Sequence, residues 1–223
     1  METLQTPSYS GGTLPRFVAV EGPDGSGTST QTRLLAEALR ARGVPCHESL
    51  EPTTGPVGQL IKRILRGKEP ACTDFRETER LLAHLFAADR QYHLHHRDEG
   101  LVKLVSEGTV ALSTRYFFSS YAYNARSAEQ FELIDRLNRD FPLPEAVVYL
   151  SCPVDELLRR LGNRPQLELY EKREELIRVM DTYERILEPV TERVVRVDSS
   201  LPRAEVHKAV LAGVTRILGL EWN

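Results

Sequence analysis

Short apolar runs alternate with longer amphipathic segments along most of this chain. The runs Phe17–Val20 and Ala146–Leu150 are apolar throughout, which is typical of strands buried on both faces of a parallel sheet. Within residues 29–42, by contrast, apolar residues such as Leu35 and Leu39 recur every three or four positions, as on one face of a helix. The pattern therefore predicts strands that alternate with helices.

Five strands and nine helices are predicted in this way. The strands cover residues 17–20, 44–50, 109–113, 146–150 and 193–197. The helices cover residues 29–42, 57–65, 74–96, 98–106, 118–124, 128–141, 154–161, 171–190 and 203–218. Short strands separated by helices indicate an α/β fold with a five-stranded parallel sheet flanked by helices. We expect one domain over residues 15–223, preceded by a flexible tail at residues 1–14 that is rich in Ser, Gly and Thr.

Composition and charge are those of an ordinary globular protein. The chain has 223 residues, of which 41% are hydrophobic and 27% charged, and its formal net charge of −3 argues against a broadly basic surface for nucleic acid. No apolar run reaches the length of a membrane span, and the first residues lack the apolar core of a signal peptide. Cys46, Cys72 and Cys152 lack metal-binding spacing and are expected to be free thiols. We therefore expect a cytoplasmic protein without nucleic-acid or membrane partners.

A glycine-rich segment follows the first predicted strand. Residues 22–30 read Gly-Pro-Asp-Gly-Ser-Gly-Thr-Ser-Thr and precede the first helix, which is the position of a phosphate-binding loop. Glycines let the backbone turn tightly and direct its N–H groups inward, and the helix N-terminus adds partial positive charge. Ser29 has the place of the hydroxyl that binds Mg²⁺ beside the β- and γ-phosphates. ATP is the expected ligand, and its candidate contacts are Gly22, Gly25, Ser26, Gly27, Thr28, Ser29 and Thr30.

One position of this loop departs from the motif, because Thr28 stands where a lysine is usual. That lysine touches the β- and γ-phosphate oxygens and neutralises charge as the phosphoryl group moves, and Thr28 is too short and uncharged to do so. Other cations must take over this role, or the chemistry must be slow. The alternative that residues 22–30 are a tight turn without a nucleotide is disfavoured, since the flanking strand and helix match the context that the motif requires.

A second group of residues fits an anionic acceptor. Arg115 follows the third predicted strand, at the sheet edge where ligands bind in such folds, and Arg90 comes from a different segment. Two arginines there can hold a phosphate bidentately, and Phe86, one helical turn before Arg90, can stack on a base. From these residues alone, the simpler interpretation is that Phe86 belongs to the core and that Arg90 pairs with a nearby acid.

Taken together, five segments resemble the thymidylate kinase family, in the order in which that family has them. The correspondence runs from Phe17 to about Leu218. No single segment is decisive, but five in the correct order are specific. The segments are the phosphate loop 20–27, the Glu-Pro loop 51–58, the stretch 85–90, the Arg-Tyr pair 115–116 and the stretch 119–123.

This resemblance implies a P-loop nucleoside monophosphate kinase that transfers the γ-phosphoryl group of ATP to dTMP with Mg²⁺ and forms a homodimer. By position, Phe86 would stack on thymine and Tyr123 would lie near the sugar, while Arg90 and Arg115 would hold the dTMP phosphate. Asp24, Arg115 and Arg164 are the implied catalytic residues, with a short lid at about residues 161–172. The implied substrate-binding residues are Glu51, Pro52, Phe86, Arg90, Arg115, Ser119 and Tyr123.

Three residues depart from the family pattern, and each departure removes a charge near the reaction centre. Thr28 replaces the loop lysine, Thr114 replaces an aspartate that precedes Arg-Tyr, and Leu50 replaces an arginine that often precedes Glu-Pro. Loss of one preorganised charged group commonly lowers the rate by a factor of about 10²–10³. Without compensation, these losses predict a poor enzyme.

Compensating groups are present nearby. Arg164 stands in the Gly-Asn-Arg-Pro break of the lid and is the preferred substitute for the lysine, whereas Arg159 and Arg160 equally fit a solvated helix face. Ser29 remains for Mg²⁺, which keeps several waters and can be reached through them by one of three acids, Asp24, Glu21 or Glu51.

Two alternatives therefore stand beside the thymidylate kinase interpretation. The first is a kinase of the same fold that acts on another deoxynucleotide or a deoxynucleoside. The second is a nucleotide-binding protein with weak or no turnover, for which Thr28 and Thr114 are the reasons.

Overall fold

Five parallel strands form the central sheet of the computed structural model, which describes residues 5–162 and 173–220. The strand order is β2-β3-β1-β4-β5, so that β1 lies at the centre. The strands are β1 Thr13–Glu21, β2 Cys46–Leu50, β3 Val110–Thr114, β4 Leu143–Ser151 and β5 Val194–Asp198. All neighbouring pairs are parallel, which confirms the predicted α/β fold with a five-stranded parallel sheet.

Helices cover both faces of this sheet. Those of the described residues are α1 Thr28–Arg40, α2 Pro56–Leu65, α3 Phe75–His95, α4 Leu101–Ser106, α5 Phe117–Asn124, α6 Ala128–Asn138, α7 Val154–Leu161, α8 Arg173–Leu187 and α9 Arg203–Ile217, with a 3₁₀ turn at Glu188–Arg193. Within that same part of the chain, each helix is too short or too polar to cross a lipid bilayer.

One predicted helix begins later than its sequence pattern indicates. Residues 98–106 were expected to be helical throughout, but α4 starts only at Leu101. The imidazole Nδ1 of His96 accepts hydrogen bonds from the backbone N–H groups of Asp98 and Glu99, at 3.3 and 3.1 Å. These bonds stabilise a turn between α3 and α4. Because the turn uses the backbone N–H groups of Asp98 and Glu99, α4 begins only after it.

The residues of β1 alternate between two hydrophobic cores. Phe17 and Ala19 face one side, and Val18 and Val20 face the other. The first core contains aromatic residues from α5 and α8, and the second contains aliphatic residues from α1 and α9. Because the central strand is buried on both sides, its carboxyl end is held rigidly, and the phosphate-binding segment starts from that end.

The segment before β1, which belongs to the expected tail, makes contacts with the rest of the domain. The Tyr9 hydroxyl donates to the backbone carbonyl of Ile186 at 2.8 Å, and the Tyr9 ring packs edge-on against Phe118 with ring centroids 5.8 Å apart. The backbone N–H of Ser8 donates to Asp135, and β1 already begins at Thr13. Residues 8–14 are therefore attached to the domain, because one aromatic side chain buries enough surface to fix a segment that is otherwise polar.

Candidate active site

A loop of three left-handed glycines connects β1 to α1. Gly22, Gly25 and Gly27 have φ angles of +154°, +87° and +94°, which other residues rarely adopt. A Cβ atom on Gly22 would lie 2.6 Å from the backbone oxygen of Leu150, and Gly27 is the N-cap residue of α1. The structure thus has the strand, glycine loop and helix that the sequence predicts, with the N-terminus of α1 beside the loop.

This loop borders a cavity of about 640 Å³, named here the donor cavity. Its lining residues are Asp24, Gly25, Gly27, Thr28, Ser29, Thr30, Leu50, Glu51, Thr114 and Arg115. Five of the seven predicted ATP contacts are among them, and the other two, Gly22 and Ser26, are buried beneath the loop. The Ser26 hydroxyl has no hydrogen-bond partner among the described residues.

The three departures from the family pattern all line the donor cavity. Thr28 is only 8% exposed and stands in the first turn of α1, and Leu50 and Thr114 are the last residues of β2 and β3. The Thr114 hydroxyl donates to the hydroxyl of Thr32 at 2.9 Å, and Thr32 donates to the backbone carbonyl of Thr28 at 3.0 Å. Hydroxyl groups thus connect Thr114 with Thr28, the two positions where the family resemblance leads one to expect an aspartate and a lysine.

A second cavity, of about 570 Å³, adjoins the first and is named here the acceptor cavity. It shares Asp24, Glu51 and Arg115 with the donor cavity. All seven predicted substrate-binding residues line it, together with further residues that the prediction omitted. The complete lining is Asp24, Glu51, Pro52, Leu65, Phe86, Arg90, Arg115, Tyr116, Ser119, Ser120, Tyr123 and Asn124.

Arg115 lies where the two cavities meet. Its guanidinium forms an ion pair with Asp24, and its Nη2 also donates to the Tyr123 hydroxyl at 3.2 Å. The same hydroxyl accepts the backbone N–H of Asp24 at 3.0 Å, and the guanidinium lies over the Tyr123 ring at 4.9 Å from its centroid. These contacts hold Asp24, Arg115 and Tyr123 as one polar unit at the boundary between the cavities.

Behind Arg115 lies a fully buried carboxyl group, that of Glu21. Its oxygens accept hydrogen bonds from the backbone N–H of Tyr116 at 2.7 Å, the Ser119 hydroxyl at 2.7 Å and the Tyr183 hydroxyl at 2.9 Å. Burial raises the pKa of Glu21 to about 7, although the charge of Arg115 and the hydrogen bonds oppose the rise. Both oxygens of Glu21 already accept hydrogen bonds from protein donors, so Glu21 is less available to a metal ion than an acid with a free oxygen.

A buried ion pair, Arg90 with Glu51, also lines the acceptor cavity. The Arg90 side chain is 1% exposed, and its Nε and Nη2 donate to Oε2 of Glu51 at 3.0 and 2.7 Å. The remaining Arg90 donors reach Asn138 and the Ser120 hydroxyl. Glu51 also contacts His93 Nδ1 through its Oε1, at 3.0 Å. From the sequence, pairing of Arg90 with an acid and a place for Arg90 at the acceptor site are alternatives. In the structure Arg90 does both, since it pairs with Glu51 and lines the acceptor cavity.

The loop that carries Glu51 is fixed from α3. Asp89 is buried, and its carboxylate accepts the backbone N–H and the hydroxyl of Thr53 at 2.7 and 2.6 Å. Lys62 donates to the Thr53 carbonyl at 3.0 Å. Charge-assisted bonds of this kind are among the stronger hydrogen bonds in proteins. Asp89 thus sets the position of the Glu51–Pro52 loop between the two cavities.

Within residues 5–162 and 173–220, one of the cations expected around the lid, Arg160, contacts the phosphate-binding loop. Arg160 donates through Nη1 to the Gly25 carbonyl at 3.3 Å and through Nη2 to the Ser199 carbonyl at 2.8 Å. Arg159 is exposed and pairs with Glu156 on its own helix, as a solvated helix face would have it. Arg164 and the predicted lid residues 163–172 lie outside the described residues.

Sequence reasoning missed several of the residues that organise the site. Asp89 stands directly before Arg90 and could have been found by its place in that motif. Asn138 and Tyr183 lie in helices with ordinary apolar periodicity, so no local pattern singles them out. Their partners are 48 and 162 residues away along the chain, and only the folded structure brings them together.

Comparisons with known proteins agree with this geometry. A family model described as thymidylate kinase matches residues 20–210. A probable thymidylate kinase of Methanococcus aeolicus is 32% identical over 203 residues, which cover 89% of this chain and 95% of the relative. A putative thymidylate kinase of Aeropyrum pernix is 40% identical over 182 residues, 82% of this chain and 83% of the relative.

A third relative is matched over its whole length. The probable thymidylate kinase of Thermococcus kodakarensis is 36% identical over 210 residues, which cover 92% of this chain and 100% of the relative. The matched region contains the glycine loop, both cavities and all five strands except the first residues of β1. This chain belongs to the thymidylate kinase family.

Proposed function

We propose that this chain transfers the γ-phosphoryl group of ATP to dTMP and yields ADP and dTDP. One observation carries the proposal. The cavity on the glycine loop adjoins a cavity that is lined by Phe86 and Arg90, and Arg115 borders both cavities. Phosphoryl transfer needs two phosphates held in line and stabilised by positive charge, and a cation at the junction meets that need.

In the acceptor cavity, we assign the dTMP phosphate to Arg115 before Arg90. Arg115 lies at the junction, and an incoming phosphate can take the place of its ion pair with Asp24. Arg90 has its charge matched by Glu51 and its donors engaged, so its contact with the acceptor is a fixed polar wall. Phe86 lines the same cavity and supplies the aromatic face on which a base stacks.

In the donor cavity, the triphosphate would lie against backbone N–H groups of the glycine loop and the N-terminus of α1. The residues present fit Mg²⁺, because Ser29 and Asp24 offer a hydroxyl and a carboxylate oxygen to that cavity. Glu21 and Glu51 are the weaker candidates, since protein donors occupy their oxygens. When bound, Mg²⁺ would neutralise negative charge on the β- and γ-phosphate oxygens.

Positive charge in place of the loop lysine has three proposed sources. Arg115 borders the donor cavity, and Arg160 reaches the Gly25 carbonyl from α7. Arg164, in the proposed lid at residues 161–172, remains the proposed residue that reaches over the transferring group. We propose that residues 15–223 act as one kinase domain with this lid.

We also propose a homodimer and a cytoplasmic location. The homodimer is supported by the family to which the chain belongs. The location is supported by the cysteines, since Cys46, Cys72 and Cys152 are all free, as expected in a reducing compartment.

The test is steady-state turnover with ATP and Mg²⁺ against a panel of nucleoside monophosphates and deoxynucleosides, with ADP release and the phosphorylated product both measured. We expect conversion of dTMP in preference to the other acceptors. A different preferred acceptor would replace this proposal with the same-fold kinase. Tight binding of ATP and dTMP without turnover on any acceptor would replace it with a nucleotide-binding protein, for which Thr28 and Thr114 are the supporting observations.

A further inference from the structure

Arg115 is held from behind by two hydroxyl groups. Its Nη1 donates to the Ser119 hydroxyl at 3.2 Å and lies 3.4 Å from the Tyr183 hydroxyl. The two hydroxyls are 2.9 Å from each other, and both lie within hydrogen-bond distance of Oε2 of Glu21. Glu21 and Tyr183 do not line either cavity, so neither touches a bound nucleotide.

The backbone at Arg115 is also fixed by this group of residues. Arg115 has a φ of +69°, in the left-handed region that is unfavourable for a residue with a Cβ atom. The next backbone N–H, that of Tyr116, donates to Oε1 of Glu21 at 2.7 Å, and the Arg115 N–H donates to the Val20 carbonyl at 2.9 Å. Glu21 therefore supports both the backbone and, through the two hydroxyls, the guanidinium.

Tyr183 brings this support from a distant part of the chain. It lies on α8, the helix that follows the residues proposed as the lid. Arg178 of the same helix donates to the backbone carbonyls of Ala122 and Tyr123 at 3.1 and 3.0 Å, which attaches α8 to the end of α5. The Tyr183 hydroxyl is thus held at a fixed place behind Arg115.

We propose that Glu21 and Tyr183 are positioning residues for acceptor binding, which act through Arg115. The network fixes the guanidinium so that it meets the acceptor phosphate without first having to order itself, which strengthens binding. This inference rests on the proposed function, because it takes the acceptor phosphate to be the ligand of Arg115. It extends that function to two residues outside both cavities.

The primary test is Tyr183→Phe, which removes one hydroxyl and keeps the ring. The dissociation constant of dTMP is measured by calorimetry, and KM for dTMP and for ATP by steady-state kinetics. We expect the dissociation constant and KM of dTMP to rise by about five- to tenfold, as for loss of one ordinary hydrogen bond, and KM for ATP to change less than twofold.

Tyr149→Phe is the matched control. Tyr149 is buried, and its ring packs against that of Tyr183 with centroids 5.3 Å apart. Its hydroxyl has no hydrogen-bond partner among the described residues and no connection to Arg115. We expect this variant to bind dTMP within twofold of the unmodified chain. Equal dTMP affinity in the two variants would overturn the inference, because it would show only the effect of losing a buried hydroxyl.

A second variant keeps the test decisive if Tyr183→Phe is poorly folded. Glu21→Gln preserves size but turns one oxygen into a donor, and we expect it to raise the dTMP dissociation constant at least fivefold. An unchanged constant in this variant would overturn the inference. Where both single variants fold, the double variant should lose less affinity than the product of the single losses, because the two residues act as one unit. Fully multiplicative losses would overturn the inference. If the unmodified chain neither binds nor converts dTMP, the proposed function fails instead, and the two failures are distinguishable.

Discussion

The acceptor and donor cavities are neighbours, but they are built in different ways. The acceptor cavity is defined by charged side chains in matched pairs, Arg90 with Glu51 and Arg115 with Asp24. The donor cavity shares Asp24, Glu51 and Arg115 with the acceptor cavity, and the rest of its lining is the glycine loop, hydroxyl groups and Leu50. Thr28, Leu50 and Thr114, where the family resemblance leads one to expect charged residues, line the donor cavity, and the seven residues predicted to bind the substrate line the acceptor cavity.

This contrast indicates which part of a phosphoryl-transfer site tolerates substitution of its side chains. A backbone N–H cradle keeps its shape when a side chain is replaced, provided that its glycines remain. A buried ion pair does not tolerate loss of one member, since the other is left as an unpaired charge in the interior. The acceptor side should therefore be sensitive to single substitutions, and the donor side tolerant of them.

The largest expected effect is on the acceptor side, at the Arg90–Glu51 pair. Glu51→Gln leaves the buried guanidinium of Arg90 without a counter-charge, and we expect it to lower the free energy of unfolding by about 3–5 kcal/mol. Glu48→Gln, on the strand that precedes Glu51, is the control, because Glu48 forms a more exposed pair with Arg40 at 2.6 Å and should contribute less than about 1 kcal/mol. Urea unfolding of both variants measures the difference, and equal losses would contradict the greater sensitivity expected of the buried pair.

Arg115 comes next. Arg115→Met removes the cation at the junction of the cavities, and we expect kcat/KM for dTMP to fall by a factor of about 10²–10³, as for loss of a preorganised charge. Arg33→Met removes a cation from an exposed pair with Glu37 on α1 and should leave kcat/KM within twofold. A loss smaller than tenfold in Arg115→Met would mean that the acceptor side does not depend on this residue.

The buried Glu21 predicts a pH dependence of stability. The unfolded carboxyl releases its proton near pH 4.5 and the folded one near pH 7, so between these values the folded state binds more protons. The contribution of Glu21 is thus fully stabilising below pH 4.5, declines as the pH rises and is lost above pH 7, by about 3 kcal/mol in all. Unfolding free energies are measured from pH 4.5 to 8, and over this range the value for the unmodified chain should fall by this amount relative to that of Glu21→Gln. Parallel curves would contradict the assigned pKa.

The smallest effect is expected on the donor side. Thr114→Val removes the hydroxyl that donates to Thr32, and Thr32 keeps its own bond to the Thr28 carbonyl. We expect the free energy of unfolding to fall by about 1 kcal/mol, and the dissociation constant of dTMP, measured by calorimetry, to stay unchanged. A clear loss of dTMP affinity would show that the two sides are not separable.

Much of this organisation could be predicted from the sequence, because it follows local rules. The strands ending at Glu21 and Thr114 contain short apolar runs, and parallel strands of this fold class bring their carboxyl ends to one edge. Residues that follow those ends, such as Arg115, were therefore placed correctly beside the glycine loop. The prediction that Phe86 binds the base came from the resemblance of residues 85–90 to a family motif.

What could not be predicted depends on pairs that are distant along the chain. Arg90 meets Asn138 across 48 residues, Glu21 meets Tyr183 across 162, and Tyr9 meets Ile186 across 177. Each partner lies in a helix or segment whose sequence pattern is ordinary. Helical periodicity indicates which face of a helix is buried, but it does not indicate which residues pack against that face. Tyr9 lies in the segment expected to be a flexible tail, and no sequence pattern indicates its contact with Ile186.

The most direct test of the contrast between the cavities restores the missing charge. Thr28→Lys places a lysine at the donor cavity, and turnover of ATP with dTMP is measured at saturating concentrations of both for this variant and the unmodified chain. If backbone and neighbouring arginines already serve the donor side, the unmodified chain turns over at roughly 1–100 s⁻¹ and the lysine raises kcat less than tenfold. A chain that binds both nucleotides without forming dTDP, and that gains a factor of about 10²–10³ from the lysine, would contradict this account.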